Sequence, residues 1–252
     1  VLERQVAVKL IRDEVASPLD LPARFRREAR AAASFAHPHL VRVYDYGVER
    51  TGRPFLVMEL LEGSTLRERL SSGVPLDRSE VLDTLRGVCS GLSAAHVRGL
   101  VHRDLKPENI YLHRHGGAIV PKVLDFGLAK AFHAEPPSTS TALGTSVGLL
   151  IGTPEYMAPE QVAGDDASPA WDIWALSVIT YEMLTGKHPF RERIVPGYGE
   201  SSGDVAATTR YTHRTALPAA VDVLFSRALS RNRAERPQNA DDLLSAMEQA
   251  LA

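Results

Sequence analysis

The sequence has little of several features that mark whole classes of protein. Its 252 residues include a single cysteine, Cys89, so no disulfide forms within the chain and a reducing compartment fits best. No uninterrupted apolar run approaches the roughly 20 residues that are needed to cross a bilayer. The net charge is only −2, which argues against binding of nucleic acid through bulk positive charge. We therefore expect no membrane segment within this chain and no nucleic-acid partner.

Lysine is scarce although basic residues are not. The 29 basic side chains comprise 24 arginines and only five lysines, which are Lys9, Lys106, Lys122, Lys130 and Lys187. A compact ammonium meets a phosphate as a point charge, in a way that a planar guanidinium does not. Two of these lysines, Lys9 and Lys106, lie in the motifs described below, and their use in an arginine-rich chain modestly favours phosphate chemistry there.

The hydrophobic pattern changes at about residue 60. Before this point the pattern predicts a strand at residues 5–11, a helix that begins after Asp20, and strands at Leu40–Tyr44 and Phe55–Leu60. After Gly63 helical periodicity dominates, and helices are expected at residues 78–97, 171–184, 218–230 and 239–251. The pattern predicts an α+β protein with a β-rich part at residues 1–60 and a mainly helical part at residues 61–252.

Residues that carry chemistry are concentrated in two short stretches. The first is His-Arg-Asp-Leu-Lys-Pro-Glu-Asn at residues 102–109, and the second is Asp-Phe-Gly at residues 125–127. Asn109 and Asp125 supply hard oxygen ligands that suit Mg²⁺, which completes its shell with phosphates and water. Asp104 would be free to orient a hydroxyl and accept its proton, and Lys106 to neutralise charge on a transferring phosphoryl group.

Taken with Gly-Thr-Pro-Glu-Tyr-Met-Ala-Pro-Glu at residues 152–160 and an apolar helix that contains Asp172, these motifs occur in an order that resembles one family. The chain resembles the bacterial eukaryotic-like, or Hanks-type, serine/threonine protein kinases. The resemblance extends over essentially the whole chain, from Val-Ala-Val-Lys at residues 6–9 to Arg236-Pro237. It implies a bilobal α+β fold, with a partial N-lobe at residues 1–60 and a C-lobe at residues 61–252.

The resemblance also implies roles for individual residues in phosphoryl transfer from ATP to protein hydroxyls. Asp104 would be the catalytic base and Lys106 a phosphate contact, while Asn109 and Asp125 would bind Mg²⁺, or Mn²⁺ as the alternative metal. Lys9 would contact the ATP α- and β-phosphates and pair with Glu28. Helical pairing of Glu28 with Arg24 would also account for that glutamate.

An adenine pocket and a substrate platform are implied in the same way. Met58 would be the gatekeeper, the backbone of Glu59 and Leu61 would face adenine, and Ala7 and Tyr111 would line the roof and floor. Tyr111 is bulkier than the leucine or methionine that is usual at its position. The substrate platform and its supports would comprise Thr153, Glu160, Asp172 and Arg236.

Hydroxyl side chains are clustered between the Asp-Phe-Gly and Ala-Pro-Glu motifs, namely Ser138, Thr139, Ser140, Thr141, Thr145 and Ser146. The simpler interpretation is a polar loop. The functional interpretation is an activation loop that is autophosphorylated, with Thr141 or Thr145 favoured and Arg103 suited to bind the phosphate. We expect protein substrates, and a homodimer in which one copy phosphorylates the other.

One element of the family pattern is missing. Kinases place a Gly-rich loop over the ATP phosphates, before the strand that carries the lysine, yet the first glycine in this sequence is Gly47. We expect that the sequence begins within the second strand of the small lobe and that this 252-residue chain alone has weak or no activity. A pseudokinase scaffold is the main alternative, and a small-molecule kinase a third. We expect a cytoplasmic catalytic domain. Whether the parent protein is also anchored to a membrane is a question that this sequence leaves open.

Overall fold

A computed structural model describes residues 4–11, 30, 33–50, 52–126, 154–190 and 217–252. Several sequence-based predictions fall outside these ranges. They concern the helix after Asp20 with Glu28, Gly127, the hydroxyl-rich segment with Ser138, Thr139, Ser140, Thr141 and Thr145, and Thr153.

The described elements alternate between short strands and longer helices. The strands are β1 (Val6–Leu10), β2 (Val43–Val48), β3 (Pro54–Glu59), β4 (Gly63–Thr65), β5 (Ile110–His115) and β6 (Ala118–Val123). The helices are α1 (Leu66–Leu70), α2 (Arg78–His96), α3 (Pro159–Val162), α4 (Pro169–Thr185), α5 (Ala219–Ala228) and α6 (Ala240–Leu251). Single 3₁₀ turns occur at Pro107–Asn109, Pro154–Tyr156 and Arg233–Glu235.

The first sheet is antiparallel, in the order β1-β3-β2. Its register places Ala7 opposite Met58 and Lys9 opposite Leu56. The strand predicted at Leu40–Tyr44 is displaced, because β2 begins only at Val43. Leu40, which is buried, instead forms an isolated parallel bridge with Val123 of β6. The segment before β2 therefore ties the first sheet to the second.

The second sheet, in the order β4-β5-β6, was not predicted from the sequence. Its β5–β6 hairpin turns at Gly116 and Gly117, which have φ values of 58° and 81°. Two positive φ values at the centre of a two-residue turn are the geometry that glycine favours in a hairpin. A Gly-Gly pair between two β-rich runs was therefore the signal for this sheet.

The core forms around α2 and α4. Helix α2, which the periodicity predicts at residues 78–97, begins with a capping box: Asp77 accepts from the Glu80 amide at 2.9 Å and Glu80 accepts from the Asp77 amide at 3.3 Å. Helix α4 is buried along nearly its whole length, as its uniformly apolar sequence predicts. It ends at Gly186, where an added Cβ would lie 2.1 Å from the carbonyl oxygen of Gly73. The α+β fold class is confirmed, and the lobe boundary at residue 60 stays a prediction.

The single cysteine and the absence of long apolar runs can both be compared with the structure. Cys89 is fully buried on α2, and burial raises the pKa of its thiol to about 12, so the residue packs in the core as a neutral group. In the part of the chain that the structure describes, none of the helices combines the length and apolar character needed to cross a bilayer.

Candidate active site

One buried carboxylate, that of Asp172, hydrogen-bonds to the backbone at the start of the segment at residues 102–109. Asp172 of α4 is 1 % exposed and accepts hydrogen bonds from the backbone amides of His102, at 2.8 Å, and Arg103, at 2.9 Å. His96, at the end of α2, lies with Nε2 2.8 Å from the same carboxylate. Because both carboxylate oxygens accept N–H donors, Asp172 fixes the start of the segment that contains Asp104.

Both chemistry-bearing segments contain a residue in an unusual backbone conformation. Over the described ranges, the non-glycine residues with positive φ are Arg103, at 71°, and Asp125, at 54°. Such conformations persist only where the surroundings over-determine them. The Asp172 carboxylate supplies that constraint for Arg103. For Asp125 it comes from the preceding residue, since the Leu124 amide donates to the Asn109 carbonyl at 2.8 Å.

His102 joins these two segments and was not singled out by the sequence analysis. Its Nδ1 accepts from the Asp104 amide at 3.3 Å, so Nε2 carries the proton and donates to the Leu124 carbonyl at 2.8 Å. Its ring meets Phe126 edge to face, with 5.2 Å between ring centroids. The position of Asp104 is thereby coupled to that of Asp125, through a histidine that has no exposed surface.

Three side chains of the segment converge at its end. The Nζ of Lys106 lies 2.9 Å from Oδ2 of Asp104. The side-chain amide of Asn109 donates to the Asp104 carbonyl at 2.8 Å. Because the amide nitrogen is used in this way, Oδ1 of Asn109 is left as the atom that can ligate a metal. The segment therefore presents a carboxylate, an ammonium and an amide oxygen side by side.

Lys9 reaches this site from β1 of the first sheet. Its ammonium forms an ion pair with the carboxylate of Asp125, across 116 positions of sequence. The lysine side chain is 43 % exposed and the aspartate side chain 21 %, so both are accessible to a ligand. The Asn109 and Asp125 oxygens fit a hard divalent cation, and Lys9 adds a cationic group for phosphates. Glu28, the other partner expected for Lys9, lies outside the described residues.

Most of the residues expected around adenine lie where β3 ends and β5 begins, and Ala7 lies beside them on β1. The Glu59 amide donates to the Arg42 carbonyl at 2.9 Å, and its carboxylate accepts from Lys122 at 2.7 Å. Tyr111 donates its hydroxyl to the Gly63 carbonyl at 3.0 Å, which fixes its bulky ring against β4. Ala7 and Met58 are register partners on β1 and β3, and Leu61 follows β3 with intermediate exposure. Their contacts with adenine stay predictions.

On the far side of α4, Glu160 and Arg236 form a buried pair. Arg236 donates to both carboxylate oxygens of Glu160, at 2.7 and 2.9 Å, and its Nε donates to the Ser230 carbonyl at 2.7 Å. The guanidinium also lies over the Trp174 ring, 4.7 Å from its centroid. This arrangement holds α3, which follows the Pro154–Tyr156 turn, against the C-terminal part of the chain.

The Asp104 carboxylate lies beside the Lys106 ammonium and the Asn109 amide, and the Asp125 carboxylate is paired with Lys9. On an α+β fold, this combination defines the site of a phosphotransferase. The sequence matches the family described as "Protein kinase domain" over residues 2–249, and the chain belongs to this family. Within the family it is a Hanks-type bacterial kinase domain, so this expectation from the sequence motifs is confirmed. Members of the family use ATP and a divalent metal.

The relatives agree with this assignment. The chain is 41 % identical over 238 residues to the serine/threonine-protein kinase PknL of Mycobacterium tuberculosis. The match covers 93 % of this chain and 56 % of PknL. It is 37 % identical over 243 residues to the serine/threonine-protein kinase pkn3 of Myxococcus xanthus, covering 95 % of this chain and 44 % of that one. The chain thus spans about half the length of these curated relatives.

A solved structure has the same fold. The crystal structure of the Mycobacterium tuberculosis PknI kinase domain matches with a TM-score of 0.70 and 27 % sequence identity. The match covers 97 % of this chain and 85 % of that one.

Proposed function

We propose that the protein carrying this domain transfers the γ-phosphoryl group of ATP to serine and threonine hydroxyls of other proteins. The observation that carries the proposal is the convergence of Asp104, Lys106 and Asn109 with the Lys9–Asp125 pair. These groups come from three separate stretches of sequence, namely β1, the segment at residues 102–109 and the residues that follow β6. Together they provide a base, two cationic side chains for the phosphates and two metal ligands. Family membership supports the same reaction.

Each side chain has one task in the proposed mechanism. Asp104 orients the attacking hydroxyl and accepts its proton, while Lys106 neutralises charge on the transferring group. Lys9 holds the ATP phosphates. Oδ1 of Asn109 and the Asp125 carboxylate would hold Mg²⁺, with Mn²⁺ as the alternative; the bound cation supplies charge neutralisation at the phosphates.

Transfer is expected to require a divalent cation and the Asp125 carboxylate. Chelation with EDTA should abolish phosphate incorporation by the full-length protein, and added Mg²⁺ should restore it. Asp125→Asn should lower kcat at least about hundredfold, because metal ligation contributes several kcal/mol to the transition state. Asp165→Asn, at a carboxylate that is about half exposed, is the control. Transfer that persists in EDTA, or full activity of Asp125→Asn, would refute the metal site.

We also propose that the activation loop is autophosphorylated, with Thr141 or Thr145 as the favoured acceptor. Within the described ranges the Arg103 guanidinium forms no side-chain hydrogen bond, while its carbonyl accepts from Gln161 at 2.7 Å. Its charge beside Asp104 is therefore free to bind a phosphate on this loop. The proposed partners are protein substrates and a second copy of the kinase, and the proposed location is the cytoplasm.

Mass spectrometry of the active full-length protein should find phosphate on at least one hydroxyl between residues 128 and 153. The Asp104→Asn variant, purified in parallel, should carry none there, because it lacks the catalytic base. Arg103→Ala should be phosphorylated yet gain little activity from it. Active protein without phosphate in this segment would contradict autophosphorylation as the means of activation.

A further inference from the structure

Arg67 connects three separate parts of the large helical region. Its Nε donates to Glu108 in the Pro107–Asn109 turn at 2.8 Å. Its Nη1 donates to Glu182 of α4 at 2.8 Å, and its Nη2 to the Tyr156 hydroxyl in the Pro154–Tyr156 turn. Each nitrogen of one guanidinium thus serves a different element, across 41, 115 and 89 positions of sequence.

The network that Arg67 forms is closed. The Tyr156 hydroxyl donates onward to the second oxygen of Glu182 at 2.6 Å, so both oxygens of this buried carboxylate are satisfied. Burial and the hydrogen bond to Glu182 raise the pKa of Tyr156 well above its usual value, which keeps the hydroxyl neutral. Burial alone would lower the pKa of Arg67, but hydrogen bonds to Glu182 and Glu108 outweigh it and raise the pKa. With both pKa values raised, Arg67 stays charged and the Tyr156 hydroxyl stays neutral near neutral pH.

The short helix α1 fixes where the guanidinium lies. Thr65 caps the helix by accepting from the Glu68 amide at 3.1 Å, and Glu68 accepts from the Thr65 amide at 3.0 Å. Leu66 and Leu70, one turn apart, are buried in the core. Because the cap and the two buried leucines hold α1, the helix cannot rotate about its axis without exposing Leu66 and Leu70. The backbone position from which the Arg67 side chain extends is therefore fixed.

We propose that Arg67 is a positioning residue for phosphoryl transfer to protein substrates. This inference rests on the function proposed above. Glu108 directly precedes Asn109 and lies two residues after Lys106. Tyr156 belongs to residues 152–160, the segment that the resemblance assigns to the substrate platform. By bonding both to α4, Arg67 fixes the catalytic segment relative to the surface that receives the substrate protein.

The location of the network explains which kinetic constants should respond. Arg67, Glu108 and Glu182 line an open cavity of about 610 Å³ that also includes Lys187 and His188. This cavity begins beside the catalytic segment. Lys9 and Asp125, the groups proposed to hold ATP phosphates and metal, have no bond to the network. Loss of Arg67 should therefore impair use of the protein substrate and leave the affinity for ATP unchanged.

The test compares Arg67→Ala and Arg67→Lys with Arg69→Ala in the full-length protein. Arg69 lies on the same helix and pairs with Glu80 at 2.9 Å on the surface, so its variant loses an equivalent ion pair without touching the network. We expect both Arg67 variants to lose about tenfold or more in kcat/KM for the protein substrate, with the KM for ATP within about twofold. Lysine should not rescue, because one ammonium cannot reproduce three donors in a plane. Arg69→Ala should stay within about twofold of wild type.

A purely structural role for Arg67 predicts a different outcome. The loss of activity would then follow the decrease in melting temperature of each variant, and assays well below the melting temperature would show no loss. Arg67→Lys would recover most of the activity. Either that result or equal behaviour of Arg67→Lys and Arg69→Ala overturns the inference. If Arg67→Ala does not fold, Tyr156→Phe decides, since removal of this hydroxyl should lower kcat/KM several-fold at constant KM for ATP. A wild-type protein without transfer activity would overturn the proposed function itself, and this inference with it.

Discussion

Asp104→Asn is expected to lower kcat for phosphoryl transfer by about 10²–10⁴-fold, the usual contribution of a positioned general base. Asparagine has nearly the same shape, but its amide cannot accept the proton of the attacking hydroxyl. Asn109 donates mainly to the backbone carbonyl of Asp104, at 2.8 Å, so this contact survives the change. The Lys106 ammonium, now 2.9 Å from the Asp104 carboxylate, loses an ionic partner but keeps a hydrogen-bond acceptor. The loss should therefore be confined to the chemical step.

Steady-state kinetics of the full-length protein, together with nucleotide-binding titrations, check this expectation. Binding of Mg-ATP by Asp104→Asn should remain within a few-fold of wild type. Asp83→Asn, at an exposed carboxylate on α2 that pairs with Arg86 at 3.0 Å, is the matched control and should behave as wild type. A kcat for Asp104→Asn within tenfold of wild type would mean that another group accepts the proton.

Arg236→Ala is expected to destabilise the domain by about 3–5 kcal/mol, because it leaves the Glu160 carboxylate buried without its partner. The Arg236 side chain is 1 % exposed and that of Glu160 is 7 %, so water cannot take over the lost donors. The change also removes the donor to the Ser230 carbonyl and the contact with the Trp174 ring. For a domain of this size, the melting temperature should fall by about 6–20 °C.

Thermal and urea unfolding of matched variants measure this effect. Arg233→Ala is the control, since Arg233 also approaches Glu160, at 3.8 Å, but its side chain is 45 % exposed. We expect a change of less than about 1 kcal/mol for that variant. Replacement of the pair together, Glu160→Leu with Arg236→Met, should recover much of the lost stability, because no unpaired charge is left. Equal effects of Arg233→Ala and Arg236→Ala would contradict this view of the pair.

The sequence predicted well those parts of the site whose residues are contiguous. Asp104, Lys106 and Asn109 lie within six residues of one another, so their convergence needs only a local turn, which Pro107 starts. The cap and apolar stripe of α2 and the uniformly apolar α4 were predictable for the same reason, since their signals repeat within one element.

The parts that were missed depend on contacts that no spacing encodes. The displaced second strand follows from Leu40, which pairs with Val123 more than 80 positions away. His102 appeared in a motif, but its role depends on the Leu124 carbonyl and the Phe126 ring, which only the fold brings together. The four residues of the Arg67 network lie in four elements, and none is unusual in its local sequence. Tertiary contacts of this kind are visible only in the structure.

The central claim is tested most directly by incubating the full-length protein with [γ-³²P]ATP, Mg²⁺ and a general protein substrate, with Asp104→Asn in parallel, and by identifying the labelled amino acid. The account predicts label on phosphoserine and phosphothreonine for the wild-type protein and almost none for the variant. Equal labelling by the two proteins would refute Asp104 as the base. Absence of transfer by wild-type protein that binds Mg-ATP would contradict the kinase function and favour a nucleotide-binding scaffold.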